Sequence, residues 1–181
     1  MREAVTSRPR PEPSGRERSF DEDEIIVSKT DVTGHITYAN EVFCQMAAMS
    51  EDELIGQPHN IIRHPDMPRC VFKVLWDTLA AREEVFAYVV NLAADGAHYW
   101  VLAHVTPTFD RAGEVIGYHS NRRCPDRSAV STVSGLYATL LAEERKHERT
   151  TDAIAAGAQL MADVLTDRRQ TYDEFVWSVT P

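Results

Sequence analysis

Arg63, His64 and Asp66 stand within four residues, in the stretch NIIRHPDMPRCVF stiffened by Pro65 and Pro68. Arginine presents a planar fork of donors that matches phosphate oxygens, and histidine can add another. The first N–H groups of a helix starting near Met67 would favour negative charge as well. Together these groups describe an anion cradle. A plainer reading uses the same residues: Asp66 caps the helix, the prolines fix its entry, and Arg63 pairs with a nearby carboxylate. The spacing leaves both readings open.

Other chemistry is sparse. Cys44, Cys70 and Cys124 are odd in number and far apart, so they form neither a CxxC pair nor a disulfide framework and read as reduced packing thiols. The seven histidines show no HxxxH or Cys/His ligand spacing, and no metal site is expected. No nucleophile motif, P-loop or GxGxxG occurs, which makes an enzyme the weakest functional class. A net charge of -9 argues against a nucleic-acid footprint or an anionic membrane surface. No run approaches the roughly 18 apolar residues of a membrane span, and the first residues lack the apolar core of a signal peptide. A cytoplasmic chain whose partners are proteins or a small molecule is expected.

The elements that must position the turn follow from periodicity. Residues 1–20, rich in Arg, Pro, Ser and Glu, have the composition of a disordered arm. EIIVSKTDVTGHITYAN reads as a β-hairpin around residues 31–34. Asn40 is suited to cap a helix over 41–48, and Ser50 with Glu53 forms a capping box for a second helix closed by Gly56. Val71, Val74, Leu75 and Leu79 fall at helical spacing and predict a helix over 67–82 with Asp66 as N-cap. VFAYVVNL, HYWVLAHVTPTF and VIGYHSNRR predict three strands joined by short turns, hence an antiparallel meander. On the middle strand Tyr99 and Val101 share one face, His98 and Trp100 the other. The class is α+β. Residues 125–181 read as a helical extension, one long helix or two packed ones. Its aromatic end, YDEFVWSV, should fold back onto the domain or pack in a homodimer.

GQPHNIIRHPDMP followed by NLAADGAHYWV resembles the FAD-carrying PAS sensor domain of aerotaxis (Aer-type) receptors, over roughly residues 21–124. The resemblance implies a five-stranded antiparallel sheet flanked by short helices, with a ligand in the cleft between them and a signalling task. It implies FAD, with its pyrophosphate at Arg63, His64 and Asp66. It also places Asn91 where an amide faces the flavin edge; the bland alternative is a solvent-facing strand end. Asn40 is a helix cap first and a ligand contact second. Trp76, Trp100 and Phe86, the last where relatives carry a tryptophan, are candidate aromatic walls.

Such receptors continue into membrane and signalling segments that this sequence lacks, so a redox or oxygen signal should pass through the C-terminal helices to a chemotaxis or other signalling partner in trans. Two alternatives accompany this reading. Haem is the rival cofactor, through His59 or His64 with Met67 nearby, and a cofactor-free dimerisation adaptor is the other. Flavin–cysteine adduct chemistry is not expected, because His59 stands where the reactive cysteine of light-oxygen-voltage domains would be.

Overall fold

The computed structural model describes residues 10–180; the first part of the expected arm, residues 1–9, lies outside the described residues. Strands β1 (Ile26–Thr30) and β2 (Ile36–Ala39) form the expected hairpin. Asp31 closes it by accepting from the backbone N–H of Thr33 and His35, and Gly34 supplies the positive φ of 83°. Helices α1 (Glu41–Ala47), α2 (Glu51–Leu54) and α3 (Arg69–Ala80) follow, with a 3₁₀ turn at His59–Ile62 between the last two. Strands β3 (Val85–Leu92), β4 (His98–Phe109) and β5 (Val115–Arg123) make the meander.

The five strands form one sheet in the order β2-β1-β5-β4-β3, antiparallel throughout. Pairing of β1 with β5 joins the hairpin to the meander and sets Ser28 opposite Ser120 and Thr30 opposite Tyr118. Helices α1 to α3 cover one face. Phe43, Met46, Leu54, Ile62 and Val71 pack there against Ile26, Tyr99 and Val101, all nearly inaccessible to solvent. No helix among the described residues is long and apolar enough to cross a membrane.

The extension resolves into α4 (Arg127–Glu144), α5 (Thr150–Arg168) and α6 (Tyr172–Val179), two packed helices and a short third. Together they clasp the sheet edge. Helix α4 lies under the face opposite α1 to α3: Tyr137 packs near Trp100, and its hydroxyl donates to the carbonyl of Tyr88 at 2.6 Å. Helix α5 packs on α3 and α4. Helix α6 then returns to β3, where Phe175 and Val176 are buried and Trp177 packs on Phe86. The terminal aromatics thus fold back, because exposing all of them would leave an apolar patch in water.

Two local expectations are corrected. Residues 10–20 are not a free arm: Ser14 N–H donates to Gly96, Arg18 N–H to His98, and His98 N–H to Arg16. Strand β5 ends opposite Leu102, which leaves the start of β4 unpaired on that side, and the arm supplies the missing backbone partners. Arg16 and Arg18 both reach Asp95 at 2.6 Å, anchoring a segment whose composition gives no sign of order.

The second correction concerns α3, which begins at Arg69 behind Pro68 and has no side-chain cap of its own. Asp66 is exposed and pairs with Arg145 at 3.0 Å instead. The capping oxygens come from 75 residues away: Glu144 accepts from the N–H of Arg69 at 3.0 Å and of Cys70 at 2.8 Å.

Candidate functional site

Between α3 and the concave face of the sheet lies a cavity of about 420 Å³, within the roughly 300–1,000 Å³ usual for small-molecule sites. Alternation on the strands decides its lining. Ser28 and Thr30 come from β1, Val89 and Asn91 from β3, Ala103 and Val105 from β4, and Tyr118, Ser120 and Arg122 from β5. Phe72, Leu75, Trp76 and Leu79 of α3 form the apolar wall opposite. Gly34, His59, Asn60, Arg63, Arg69, Lys73 and Ile154 of α5 complete it.

Arg122 is the dominant charge. It is 3% exposed, and its Nη2 donates to Ser28 Oγ at 2.5 Å and to His59 Nε2 at 2.6 Å. Its guanidinium also lies over the Phe43 ring, 4.9 Å from the centroid. No carboxylate pairs with it among the described residues. Burial draws its pKa down to about 10, so the group stays cationic at neutral pH. His59 is pushed the same way, to about 3, by desolvation and then by the Arg122 charge. It is therefore neutral, with Nε2 accepting and the proton assigned to Nδ1.

Four polar atoms of this lining lack a partner among the described residues: Thr30 Oγ1, Asn91 Nδ2, Ser120 Oγ and Arg122 Nη1. Buried polar groups are nearly always satisfied in native proteins, and an orphan of this kind costs about 1–3 kcal/mol. All four belong to residues that line one cavity, a lining that suits a polar-edged ligand. The opposite wall is aromatic and aliphatic, with Trp76 set edge-on to Tyr118 at 5.5 Å. A planar ring with hydrogen-bonding edges and apolar faces meets both requirements.

Of the residues singled out in the sequence, His59, Arg63, Asn91 and Trp76 line the cavity. Arg63 is held by a hydrogen bond to the Met67 carbonyl at 2.9 Å and by the Phe72 ring, and its backbone pairs with Asn91. Burial lowers its pKa, with the neighbouring charge of Arg69 second.

His64 is buried beside the cavity rather than in it; its Nδ1 accepts from the Asp66 N–H at 3.1 Å. Desolvation lowers its pKa, against the pull of Asp66. Asp66 points to the extension. Asn40 caps α1 through Phe43 N–H, accepts from Val27 N–H and donates to Ile25, which occupies its amide outside the cavity. Phe86 and Trp100 lie on the opposite face of the sheet, where Phe86 stacks on His104 and Trp100 meets Tyr137. The inward pair on β4 is Tyr99 and Val101.

Sequence reasoning missed Ser28, Thr30, Ser120 and Arg122. The signal was a polar residue at each of two alternate positions on β1 and on β5, where an inward face should be apolar. A cluster of three or more His, Cys, Asp or Glu able to hold a metal is absent among the described residues. Cys70 is no reactive thiol, since burial and then its hydrogen bond with Glu144 push it up to about 12.

An antiparallel sheet wrapped on one side by short helices, with a ligand-sized cavity between a polar floor and an apolar wall, defines a small α+β module. The chain belongs to the PAS family, whose PAS-fold model matches residues 25–121. It is 40% identical over 119 residues to the aerotaxis receptor of Escherichia coli K12, covering 66% of this chain and 23% of that protein. It is 31% identical over 99 residues to the nitrogen fixation regulatory protein of Klebsiella pneumoniae, covering 55% of this chain and 20% of that one. The chain thus spans about a quarter or less of these curated relatives. Among solved structures, the dark state of the blue-light photoreceptor Aureochrome1 LOV superposes with a TM-score of 0.53 at 20% identity, over 63% of this chain and 82% of that one. A PAS domain from Colwellia psychrerythraea gives 0.52 at 19% identity, over 55% and 85%. These two matches support the fold.

Proposed function

We propose that this chain is a non-enzymatic cytoplasmic sensory module that binds FAD in the cavity, responds to redox state or oxygen, and signals to a separate chemotaxis or signal-transduction protein. The observation that carries it is the set of four polar atoms, on residues of the cavity floor opposite an aromatic wall, that have no partner among the described residues. A flavin supplies a flat ring with acceptors along its polar edge, and one of them, N5, becomes an N–H donor on reduction. The amide of Asn91 can serve either state by turning over, since it holds both a donor and an acceptor. Asn91 also pairs through its backbone with Tyr99 on β4 and with Arg63 ahead of α3, so a turn at its side chain has routes to the sheet and to the helix.

The similarity to the aerotaxis receptor supports the same reading. Haem fits the donors less well. His64 does not line the cavity, and the Nε2 of His59 is already engaged by Arg122 and Ser28. The test is the visible spectrum of the purified chain, with heat release and identification of any chromophore. FAD in the supernatant is the expected result. A Soret band would replace flavin by haem, and a colourless folded protein that refuses FAD would leave a cofactor-free adaptor.

A further inference from the structure

The anion cradle expected at the start of α3 is already filled, by the carboxylate of Glu144. This side chain is 5% exposed, and it takes the N–H groups of both Arg69 and Cys70, the first free donors of a twelve-residue helix. Its position is enforced from behind. A Cβ at Gly157 of α5 would stand 2.9 Å from both Glu144 Cγ and Oε1, so only glycine lets α5 approach this closely. Arg145 beside it holds Asp66, and Ile154 brings α5 to the cavity itself.

A cavity of about 420 Å³ takes a tricyclic ring with its ribityl chain and leaves the diphosphate and adenosine of a dinucleotide to find room outside. Arg63 and Arg69 both line the cavity where α3 begins, which directs a diphosphate toward the amides Glu144 now holds. Two anions on the same N–H groups repel. Resting on the flavin reading, we infer that Glu144 is an internal stand-in for a ligand phosphate: a dinucleotide flavin displaces it and loosens the C-terminal clasp, whereas a flavin without diphosphate leaves the clasp shut. Glu144 closes α4 and is followed by an exposed loop over residues 145–149, so it can swing away without unpacking Tyr137 or Leu140. Ligand length would thereby be read as the docking state of the helices expected to carry the signal.

The experiment is hydrogen exchange on the full chain, first freed of flavin and then saturated with riboflavin or with FAD, saturation being followed by flavin absorbance. FAD should speed exchange across residues 142–158 and riboflavin should not. In Glu144→Gln, which keeps an acceptor at the helix start but removes the charge, FAD affinity should rise about tenfold while riboflavin stays within about twofold. Gly157→Ala, which crowds Glu144 off its site, should shift affinity in the same direction. Equal exchange with both flavins, or equal affinity changes for both in the variants, overturns the inference and leaves the flavin reading standing. Binding of neither flavin overturns both, and the absorbance readout separates the two cases without any variant.

Discussion

Arg122 and His59 share a hydrogen bond of 2.6 Å on the cavity floor, and no carboxylate meets either among the described residues. A buried cation without a counter-ion is costly in the free protein, and that cost becomes binding energy for a ligand that offers an acceptor edge. Arg122→Met should therefore leave the ligand-free domain as stable as the parent or more so, because Ser28 Oγ and His59 Nε2 stand 3.1 Å apart and can satisfy each other. Flavin affinity should fall at least about tenfold, as expected for losing a charged hydrogen bond. A titration by fluorescence quenching, with a urea curve on the same sample, checks both. Undiminished affinity would remove Arg122 from the site.

The same pair sets an acid sensitivity. His59 titrates near 6.5 when unfolded and near 3 when folded, so its neutral form contributes full stability above pH 6.5. As pH falls from 6.5 toward 3 the unfolded chain takes up a proton that the folded chain refuses, and stability drops by at most about 1.4 kcal/mol per pH unit from this group. His64, also lowered by burial, adds to the trend in the same direction. Urea midpoints measured between pH 4 and 7 should slope less steeply in His59→Gln than in the parent (about one proton fewer). Parallel slopes would mean that His59 is protonated in the folded protein.

How legible this site was depended on how local its causes are. The hairpin, the capping box at Ser50, the meander and the outline of the helices all rest on short-range spacing, and the structure has them within a few residues of their expected places. Asn91 and Trp76, named from the resemblance, and Arg63, named from its chemistry, lie on the cavity lining. Phe86 and Trp100 lie on the other face of the sheet; strand alternation says that two residues share a face without saying which face. The facing was decided by Tyr137 and Trp177, each dozens of residues away. Glu144 was invisible for the same reason: a cap from 75 residues downstream leaves no mark at the helix it caps.

The facing of Trp100 gives a test that separates packing from ligand contact. Its ring lies between the sheet and α4, so Trp100→Ala should cost roughly 2–3 kcal/mol, below the range for a fully buried aromatic because the ring is only partly enclosed. Flavin affinity and the position of its absorption bands should not change. A shifted flavin spectrum with unchanged stability would put the ring in the cavity after all.

Thiol reactivity should sort the three cysteines by environment. Cys70 is buried against Glu144 and held protonated to about pH 12, while Cys44 and Cys124 keep some exposed surface with thiols raised more modestly by burial. Alkylation at neutral pH should label Cys44 and Cys124 first and reach Cys70 only on unfolding or on opening of the clasp. Peptide mapping of the labelled protein gives the order, and early labelling of Cys70 would mean that Glu144 leaves α3 readily.

Asn91 carries the last expectation, because its side chain joins the ligand question to the signal. Its Nδ2 is buried without a partner among the described residues, while its backbone is tied to Tyr99 in β4 and to Arg63 ahead of α3. Loss of the amide should therefore do little to the sheet, whose ladder is backbone, and should cost flavin affinity about tenfold or less, the worth of one neutral hydrogen bond. What it should abolish is the difference between oxidised and reduced protein. Hydrogen exchange of the flavin-loaded parent before and after chemical reduction should differ in β3, in the segment around Arg63 and at the start of α3. In Asn91→Ala the two patterns should coincide, since nothing at that position can reorient when a ligand atom changes from acceptor to donor. A redox difference that survives the substitution would place the sensing contact elsewhere on the floor, with Thr30 and Ser120 the remaining uncommitted hydroxyls.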